Sequence, residues 1–399
     1  MSDTLTRSRS GSSPAAGSPP ARGRYLVLLA LVVGLALLLV APIYVSTGYL
    51  QAGEYVMIGS VGAIGLTLLT GQAGQLSLAH GFFLLAGGTS YCVLAGERGS
   101  SELIGFGLPP LLALVGAVLI PAALGLAFAP VAGRLRGIYL GIASFSLVFI
   151  GLYVGQRFDG LTGGTASGRS PTTFSLFGFS FGSSDPDLFV LGVPFDRAER
   201  TWYLFLVLAV LAYVLARGAV RSRPGRAWRA VRDNETAAGV MGVNVVRAKA
   251  GAFAVSSGFA GLAGAMTVLW LTILKPDESE FGTYGINASI AFLAMVIIGG
   301  LGSVPGAVVG ALLVYGLPQV LALATTGSDL FSTTGGGGLT PVILTQFIYG
   351  GAIVALVLFE PRGLAGIGRR LHASITDRRS TRTAVDAASP ETPEDGDRP

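Results

Sequence analysis

The segment Arg226–Gly242, RAWRAVRDNETAAGVMG, is a polar, arginine-rich stretch within a strongly apolar sequence. The chain of 399 residues is 51% hydrophobic and only 12% charged, and its mean hydropathy is +0.65. Apolar runs close to the ~20 residues that cross a bilayer recur along it. The composition therefore predicts an integral membrane protein. The charged segment must then lie in water beside the membrane, where a partner can reach it.

About ten apolar runs predict membrane helices, and the short ones could be tilted or re-entrant. The predicted fold is therefore an all-α polytopic membrane protein with about 8–10 transmembrane helices and both termini in the cytoplasm. The predicted spans are 25–45, 53–70, 76–95, 108–131, 137–155, 201–217, 250–274, 286–301, 305–325 and 341–359.

The chain is predicted to have three parts. Residues 1–24 and 361–399 are rich in Ser, Thr, Pro, Arg and Gly or acidic residues, so both are expected to be largely disordered cytoplasmic tails. Residues 25–360 form the transmembrane domain, with a cytoplasmic loop at 218–249 and an outer loop at 156–200. Most of the 27 lysines and arginines fall in the segments assigned to the cytoplasm, which agrees with the positive-inside rule.

Several classes of function are not supported by the residue content. The single cysteine, Cys92, gives no disulfide framework, and the two histidines, His80 and His372, are too few and too distant for a metal site. The predicted spans hold no paired catalytic carboxylates, no HExxH motif and no nucleophile–base set, so an enzyme is not expected. The pI near 9.5 reflects membrane topology rather than nucleic-acid binding.

Within Arg226–Gly242 the pattern predicts two short helices. Small apolar residues of the first helix fall on one face and its arginines on the other. Asp233 and Asn234 are candidate N-caps for the second helix, whose first turn contains Glu235. Gly242 is expected to end it.

The second short helix has a small, mostly apolar face formed by Ala237, Ala238 and Met241. A solvated loop that merely obeys the positive-inside rule does not require such a face. The segment is therefore interpreted as a docking surface, with the solvated loop as the alternative.

A second polar region, Thr70–Gly88 (TGQAGQLSLAHGFFLLAGG), is rich in Gly, Gln and Ser. Its glycines can break a helix, and the freed backbone groups are tolerated at membrane depth only where they line a cavity or are buried in protein. Neutral hydrogen-bonding groups of this kind could pass a zwitterion or an amide, or could equally hold helices together. The candidate pathway residues are Gly71, Gln72, Gly74, Gln75, Ser77 and His80.

Two further features concern the membrane helices. Gly302, Gly306 and Gly310 recur at four-residue spacing, which predicts one smooth helical face for close packing within the subunit or between subunits. Glu54 begins a predicted span, where it is expected to be interfacial, with a buried functional carboxylate as the alternative.

These segments together resemble a known family. Glu235-Thr-Ala-Ala followed by Gly242 resembles the EAA loop of ABC-transporter permeases, and the wider sequence resembles the LivM-like branched-chain amino acid permeases. The resemblance covers about 53–364. It rests on Thr70–Gly88, LRGIYL (Leu135–Leu140), DGLTGG (Asp159–Gly164), IGGLGSVPGAVVG (Ile298–Gly310) and FEPRGL (Phe359–Leu364). Ala79 and Gly87-Gly88-Thr89 replace the usual Gly and Gly-Ala-Tyr, which leaves the substrate open.

The resemblance implies the membrane-spanning permease subunit of an ATP-driven importer in a bacterial cytoplasmic (inner) membrane. It implies two ABC ATPase subunits, a second, homologous permease and a periplasmic or lipid-anchored solute-binding protein. The chain lacks the nucleotide motif GxxxxGK[ST], so ATP and Mg²⁺ are expected on the partner ATPases and no cofactor on this chain. The implied ATPase-coupling residues are Arg226, Arg229, Arg232, Asp233, Asn234, Glu235, Ala237, Ala238 and Gly242.

The implied substrates are leucine, isoleucine and valine, and the alternative within the same family is urea or a short amide. A secondary transporter or channel is a more distant alternative. Such a protein usually needs ionisable residues within the membrane for ion coupling, and Glu54 and His80 are the only candidates in or beside the predicted spans.

Overall fold

The computed structural model describes most of the chain up to residue 325. The described residues are 21–98, 103–135, 137–176, 179–182, 189–190, 193–277, 284–325 and single positions between 347 and 366. The chain divides into two compact units at Tyr44–Val45. The described part of the first unit is one helix, α1 (Ala21–Tyr44), with Pro42 in its last turn.

The described part of the second unit is almost entirely helical. Its helices are α2 (Thr47–Leu66), which continues as a π-helical turn over Thr67–Gln72, α3 (His80–Ala95), α4 (Pro110–Arg134), α5 (Ile138–Arg157), α6 (Asp159–Thr162), α7 (Arg197–Arg221), α8 (Arg223–Asp233), α9 (Glu235–Val240), α10 (Val245–Leu271), α11 (Ile286–Gly299), α12 (Val304–Ala311), a second π-helical turn over Leu312–Gly316, and α13 (Leu317–Thr325). Two small antiparallel hairpins join β1 (Ser175–Leu176) to β2 (Phe179–Ser180) and β3 (Phe189–Val190) to β4 (Val193–Pro194).

The membrane-spanning helices agree with the predicted pattern. Six helical stretches among the described residues are long and apolar enough to cross a bilayer: Thr47–Gln72, Pro110–Arg134, Ile138–Arg157, Arg197–Arg221, Val245–Leu271 and Val304–Ala324. Three shorter apolar helices are Val32–Tyr44, His80–Ala95 and Ile286–Gly299. These nine coincide with nine of the predicted spans, whereas most of 341–359 lies outside the described residues. The all-α polytopic membrane fold is confirmed.

Helix α10 is central to the second unit and packs against α2, α3 and α4. Small residues allow this packing, since a side chain on Gly264 would overlap the backbone of Leu84 in α3 and one on Gly261 would overlap α4. By contrast, α4, α5 and α7 expose much of their apolar surface. In a bilayer that surface lies against lipid, whose chains are as apolar as the side chains themselves.

The predicted domain boundaries stay predictions. The tails at 1–24 and 361–399 lie almost wholly outside the described residues. The predicted cytoplasmic loop 218–249 is helical for most of its length, because α8 and α9 occupy it between the ends of α7 and α10.

Candidate functional site

The buried face of helix α8 includes one aromatic residue, which belongs to the hydrophobic core. Trp228 and Val231 are 3% and 2% exposed, and Arg226 and Arg232 lie on the exposed face. Arg229 is half-buried. Sequence reasoning missed Trp228, although a tryptophan three residues before a valine in an arginine-rich helix is an amphipathic signal.

Asn234 rather than Asp233 caps helix α9. The backbone of Asn234 is extended (φ −160°, ψ 109°), and its Oδ1 accepts a hydrogen bond from the backbone N–H of Ala237 at 2.9 Å. Asp233 instead forms an ion pair with Arg232 at 2.9 Å. Gly242 ends the segment in the left-handed conformation (φ +84°), as the sequence predicted.

The exposed apolar tip of α9 differs from the face that the sequence indicated. Ala238 is 5% exposed and packs inward, whereas Ala237 is exposed. Val240 and Met241 are 84% and 83% exposed. The apolar surface available to a partner is therefore Val240 and Met241, which protrude from the end of a short capped helix.

Glu235 ties α9 to the central helix α10. Its Oε1 lies 2.6 Å from Nζ of Lys249, whose side chain is 5% exposed. A buried ammonium group needs such a partner, because an uncompensated charge in the interior is costly. Lys249 was not assigned a role from the sequence. Its rarity was the available signal, because the chain has only two lysines, Lys249 and Lys275.

Arg232 joins α8 to the candidate pathway segment. Its Nη1 donates a hydrogen bond to the carbonyl oxygen of Gly71 at 2.8 Å. The stem of the same side chain lies against Gly74, which has a left-handed backbone (φ +68°). Gly71 belongs to the π-helical turn at the end of α2, so the docking segment is in direct contact with the membrane helix before α3.

The same turn of α2 contacts the loop before α12. Nε2 of Gln72 donates to the carbonyl oxygen of Gly302 at 2.6 Å, and a side chain on Gly71 would overlap the backbone of Gly302. Gly302 has φ +80° and precedes the helix, which Ser303 caps by accepting from the N–H of Gly306 at 3.1 Å. Residues that the sequence assigned separately to coupling, pathway and packing thus meet at one place.

The expected smooth face of three glycines on one helix is wrong. Because α12 begins only at Val304, Gly302 lies in a left-handed turn. Gly306 and Gly310 do lie in the helix, where their missing side chains leave room for the backbones of Gly299 and Met295 in α11. The close packing is therefore within the subunit at these two positions.

The backbone over residues 74–79 is not helical, and it links the π-helical turn to α3. Gln75, Ser77 and His80 are all at most 3% exposed. Nε2 of His80 is 3.0 Å from the carbonyl oxygen of Gly62, and Oγ of Ser77 accepts from the N–H of Ala79 at 3.3 Å. Among the described residues neither polar side-chain atom of Gln75 has a hydrogen-bond partner. Apart from the exposed Gly74, the segment is buried or half-buried, and its buried side chains include polar groups.

Glu54 is buried in the protein rather than exposed at an interface. Its side chain is 2% exposed, and its Oε1 has no hydrogen-bond partner among the described residues. It lines a cavity of about 470 Å³ together with Arg197 and Trp270. This cavity lies at the ends of α7 and α10 that are remote from α8 and α9.

A row of aromatic rings leads from this cavity towards the pathway segment. Tyr55 stacks on Trp270, with 4.9 Å between ring centroids, and on Tyr315, with 4.1 Å. Phe292 is 5.8 Å from Tyr315 and 5.4 Å from the ring of His80. The row is continuous from the cavity to the first residue of α3.

No cluster of three or more His, Cys, Asp or Glu side chains that could hold a metal ion is found in the described part of the chain. The polar groups at the site are instead carboxylates, guanidinium groups, amides and backbone carbonyls. They can bind a small polar or charged solute and can transmit movement between helices.

Residues 49–357 match the family described as branched-chain amino acid transport system / permease component. The chain belongs to this family of membrane permeases, and the resemblance inferred from its motifs is confirmed. It is a transport subunit rather than an enzyme.

Three curated relatives illustrate the similarity. The LivM permease of the high-affinity branched-chain amino acid transport system of Salmonella typhimurium is 30% identical over 348 residues, covering 84% of this chain and 75% of the relative. The LivH permease of Escherichia coli is 27% identical over 272 residues, covering 67% of this chain and 82% of the relative. The ribose import permease RbsC of Haemophilus influenzae is 27% identical over 325 residues, covering 77% and 88%. No solved structure matches the chain significantly.

Proposed function

We propose that this permease imports branched-chain amino acids in an ATP-driven transporter and that Arg226–Gly242 is its coupling segment. The observation that carries the proposal is the double attachment of this segment to membrane helices. Arg232 binds the carbonyl of Gly71 at the end of α2, and Glu235 binds Lys249 in α10. Movement applied to α8 and α9 from outside is therefore passed to two of the most buried helices of the protein.

The power source would be a pair of ABC ATPase subunits. Val240 and Met241 offer them an apolar contact, and the exposed Arg226 offers a charged one. The nucleotide motif GxxxxGK[ST] does not occur in the chain, so ATP and Mg²⁺ would bind on those partners. Closure of the ATPase dimer would move α8 and α9 as a lever and switch the membrane helices between inward- and outward-facing states.

A second permease and a solute-binding protein would complete the transporter. The chain is similar both to LivM and to LivH permeases, which supports assembly of two homologous permeases in one transporter. The arginine-rich α8 fits the cytoplasmic side of a bacterial inner membrane by the positive-inside rule. The ends of α7 and α10 remote from it would then face the delivering protein.

The proposed substrate is inferred from the names of the similar permeases. LivM, LivH and BraD are named for branched-chain amino acid transport, and this supports leucine, isoleucine and valine over urea or a short amide. The similarity to a ribose permease shows that related permeases are named for chemically different solutes. Direct measurement of uptake is therefore the decisive test.

The experiment is ATP-dependent uptake by the transporter reconstituted in vesicles. The permease, its partner permease, the ATPases and leucine-loaded binding protein should together accumulate radiolabelled leucine only when ATP is present. Valine and isoleucine should compete, whereas urea and acetamide should not. Uptake by this chain alone, driven by an ion gradient, would contradict the proposal, as would competition by urea at the concentration at which valine competes.

A further inference from the structure

We propose that the cavity between Glu54 and Arg197 binds the charged head group of an α-amino acid on its way into the permease. The inference rests on the proposed function and extends it, since it places a substrate-recognition site within the membrane subunit itself. The site would hold a zwitterion, with the ammonium group at Glu54 and the carboxylate at Arg197.

Glu54 is a buried acidic residue of α2. A carboxylate within a membrane helix is costly and is normally paired or functional. Glu54 is 2% exposed, and its Oε1 lacks a hydrogen-bond partner among the described residues. The same side chain lines a cavity of about 470 Å³. A carboxyl group in a cavity wall, with one oxygen that lacks a hydrogen bond, can accept one from an ammonium group that enters the cavity.

Arg197 supplies the basic group of the cavity. It lies in the first turn of α7 and lines the same cavity. Its Nη2 donates to the carbonyl oxygen of Leu269 at 2.9 Å, which fixes the guanidinium beside the end of α10. A guanidinium has five N–H donors, so this one bond leaves donors for a carboxylate.

Glu54 and Arg197 line one cavity without forming an ion pair. Both side chains line the cavity, yet no ion-pair contact within 4.0 Å connects these two described residues. An ion pair would close the space. Held apart, the carboxyl group and the guanidinium both stay available to a molecule between them, and an amino acid head group offers a partner to each.

The remaining walls suit the rest of such a ligand. Trp270 and Leu271 line the cavity with apolar surface, and Gln51 adds a neutral polar group. Trp270 is also the first ring in the row of aromatic side chains that leads through Tyr55, Tyr315 and Phe292 to His80. A branched aliphatic side chain could lie on this aromatic surface, where burial of apolar area is favourable.

The location agrees with entry from outside. Helix α10 runs from Val245, beside the coupling segment, to Leu271, beside the cavity. Its 27 residues separate the two sites by about 40 Å at 1.5 Å per residue. The cavity and the coupling segment are therefore at opposite ends of the same central helix.

The test measures equilibrium binding of radiolabelled leucine to the assembled transporter without binding protein. Wild-type complex is compared with Glu54→Gln, which changes the shape of the side chain little, and with Arg197→Gln, which removes the guanidinium and its bond to Leu269. Asp159→Asn is the control, because Asp159 is a carboxylate in the first turn of α6 that does not line the cavity. We expect leucine affinity to fall at least tenfold in both test variants and to change less than twofold in the control.

Two leucine analogues, each lacking one of the two charged groups, show which residue binds which group. Leucinamide retains the ammonium group and lacks the carboxylate, and 4-methylpentanoate retains the carboxylate and lacks the ammonium group. Glu54→Gln should lower the affinity for leucinamide and leave the affinity for 4-methylpentanoate unchanged. Arg197→Gln should lower the affinity for 4-methylpentanoate and leave that for leucinamide unchanged. Should Glu54→Gln fail to assemble, Arg197→Gln still tests the site through its own analogue.

The inference would be overturned if wild-type complex bound no leucine at millimolar concentration, or if both variants bound it as wild type does. It would also be overturned if each variant lowered the affinity for both analogues equally. These failures differ from failure of the proposed function, because ATP-dependent uptake of leucine by the wild-type transporter would persist in each case.

Discussion

Arg232 at the end of α8 donates a hydrogen bond to the carbonyl oxygen of Gly71 at 2.8 Å, although the two residues are 161 positions apart in the chain. The bond connects the arginine-rich helix α8 with the π-helical end of α2. Gln72, the next residue of that turn, donates to Gly302. Arg232 thus joins the proposed coupling segment to the turn through which α2 contacts the loop before α12.

Loss of this bond should uncouple transport from ATP hydrolysis. Arg232→Gln removes the guanidinium, and we expect ATP-driven leucine uptake to fall about tenfold, the loss that follows from about 1.4 kcal/mol, while the ATPase activity of the assembled transporter is retained. Arg223→Gln is the control, since Arg223 is also exposed on α8 but lies outside the proposed coupling segment. Equal uptake by the two variants would remove Arg232 from the coupling mechanism.

Loss of Glu235 should destabilise the protein by leaving Lys249 buried without its partner. We expect Glu235→Ala to cost about 3 kcal/mol, the scale measured when one member of a buried pair is removed, and to lower the thermal unfolding midpoint of the purified complex. The double variant Glu235→Ala/Lys249→Met removes both charges and should recover much of the loss. If the double variant is less stable than Glu235→Ala alone, the pair is not the source of the stability.

The exposed tip of α9 should matter for assembly but not for folding. Met241 is 83% exposed, so Met241→Asp costs the isolated subunit little, yet it places a charge in an apolar contact with the ATPase. We expect ATPase affinity to fall at least tenfold in a pull-down titration, with membrane insertion unchanged. Val246→Asp is the control, because Val246 is also exposed (63%) but lies beyond Gly242. Unchanged ATPase binding by Met241→Asp would exclude the tip from the interface.

The glycines of α12 and α10 should respond differently to alanine. A Cβ on Gly310 would overlap the carbonyl group of Met295 in α11, so Gly310→Ala forces the helices apart at a cost of about 1–3 kcal/mol. A Cβ on Gly251 would meet nothing within 4 Å, and Gly251→Ala should be neutral or stabilising by about 1 kcal/mol from helix propensity. Unfolding midpoints of the two variants check this, and a lower midpoint for Gly251→Ala than for Gly310→Ala would contradict the packing argument.

The amino-acid sequence by itself determined the fold class and the spans. Long apolar runs must cross the membrane as helices, because only helices satisfy their own backbone hydrogen bonds in lipid. The local ends of α9 were also predictable, since Asn234 and Gly242 act through bonds to residues close in the chain. Properties that depend on neighbours in sequence are encoded in short patterns, and such patterns can be read directly.

Only the tertiary structure decided which distant residues meet. Arg232 with Gly71 and Gln72 with Gly302 are contacts between segments that are 161 and 230 residues apart, and no local pattern specifies them. The burial of Glu54 and the inward position of Ala238 likewise depend on which helices pack around them. The wrong assignment of Gly302 to a helix has the same origin, because the contact with Gln72 and the left-handed turn place it before α12. Long-range packing in a Gly-rich membrane protein is set by how closely backbones approach, and that is a property of pairs of helices rather than of one sequence segment.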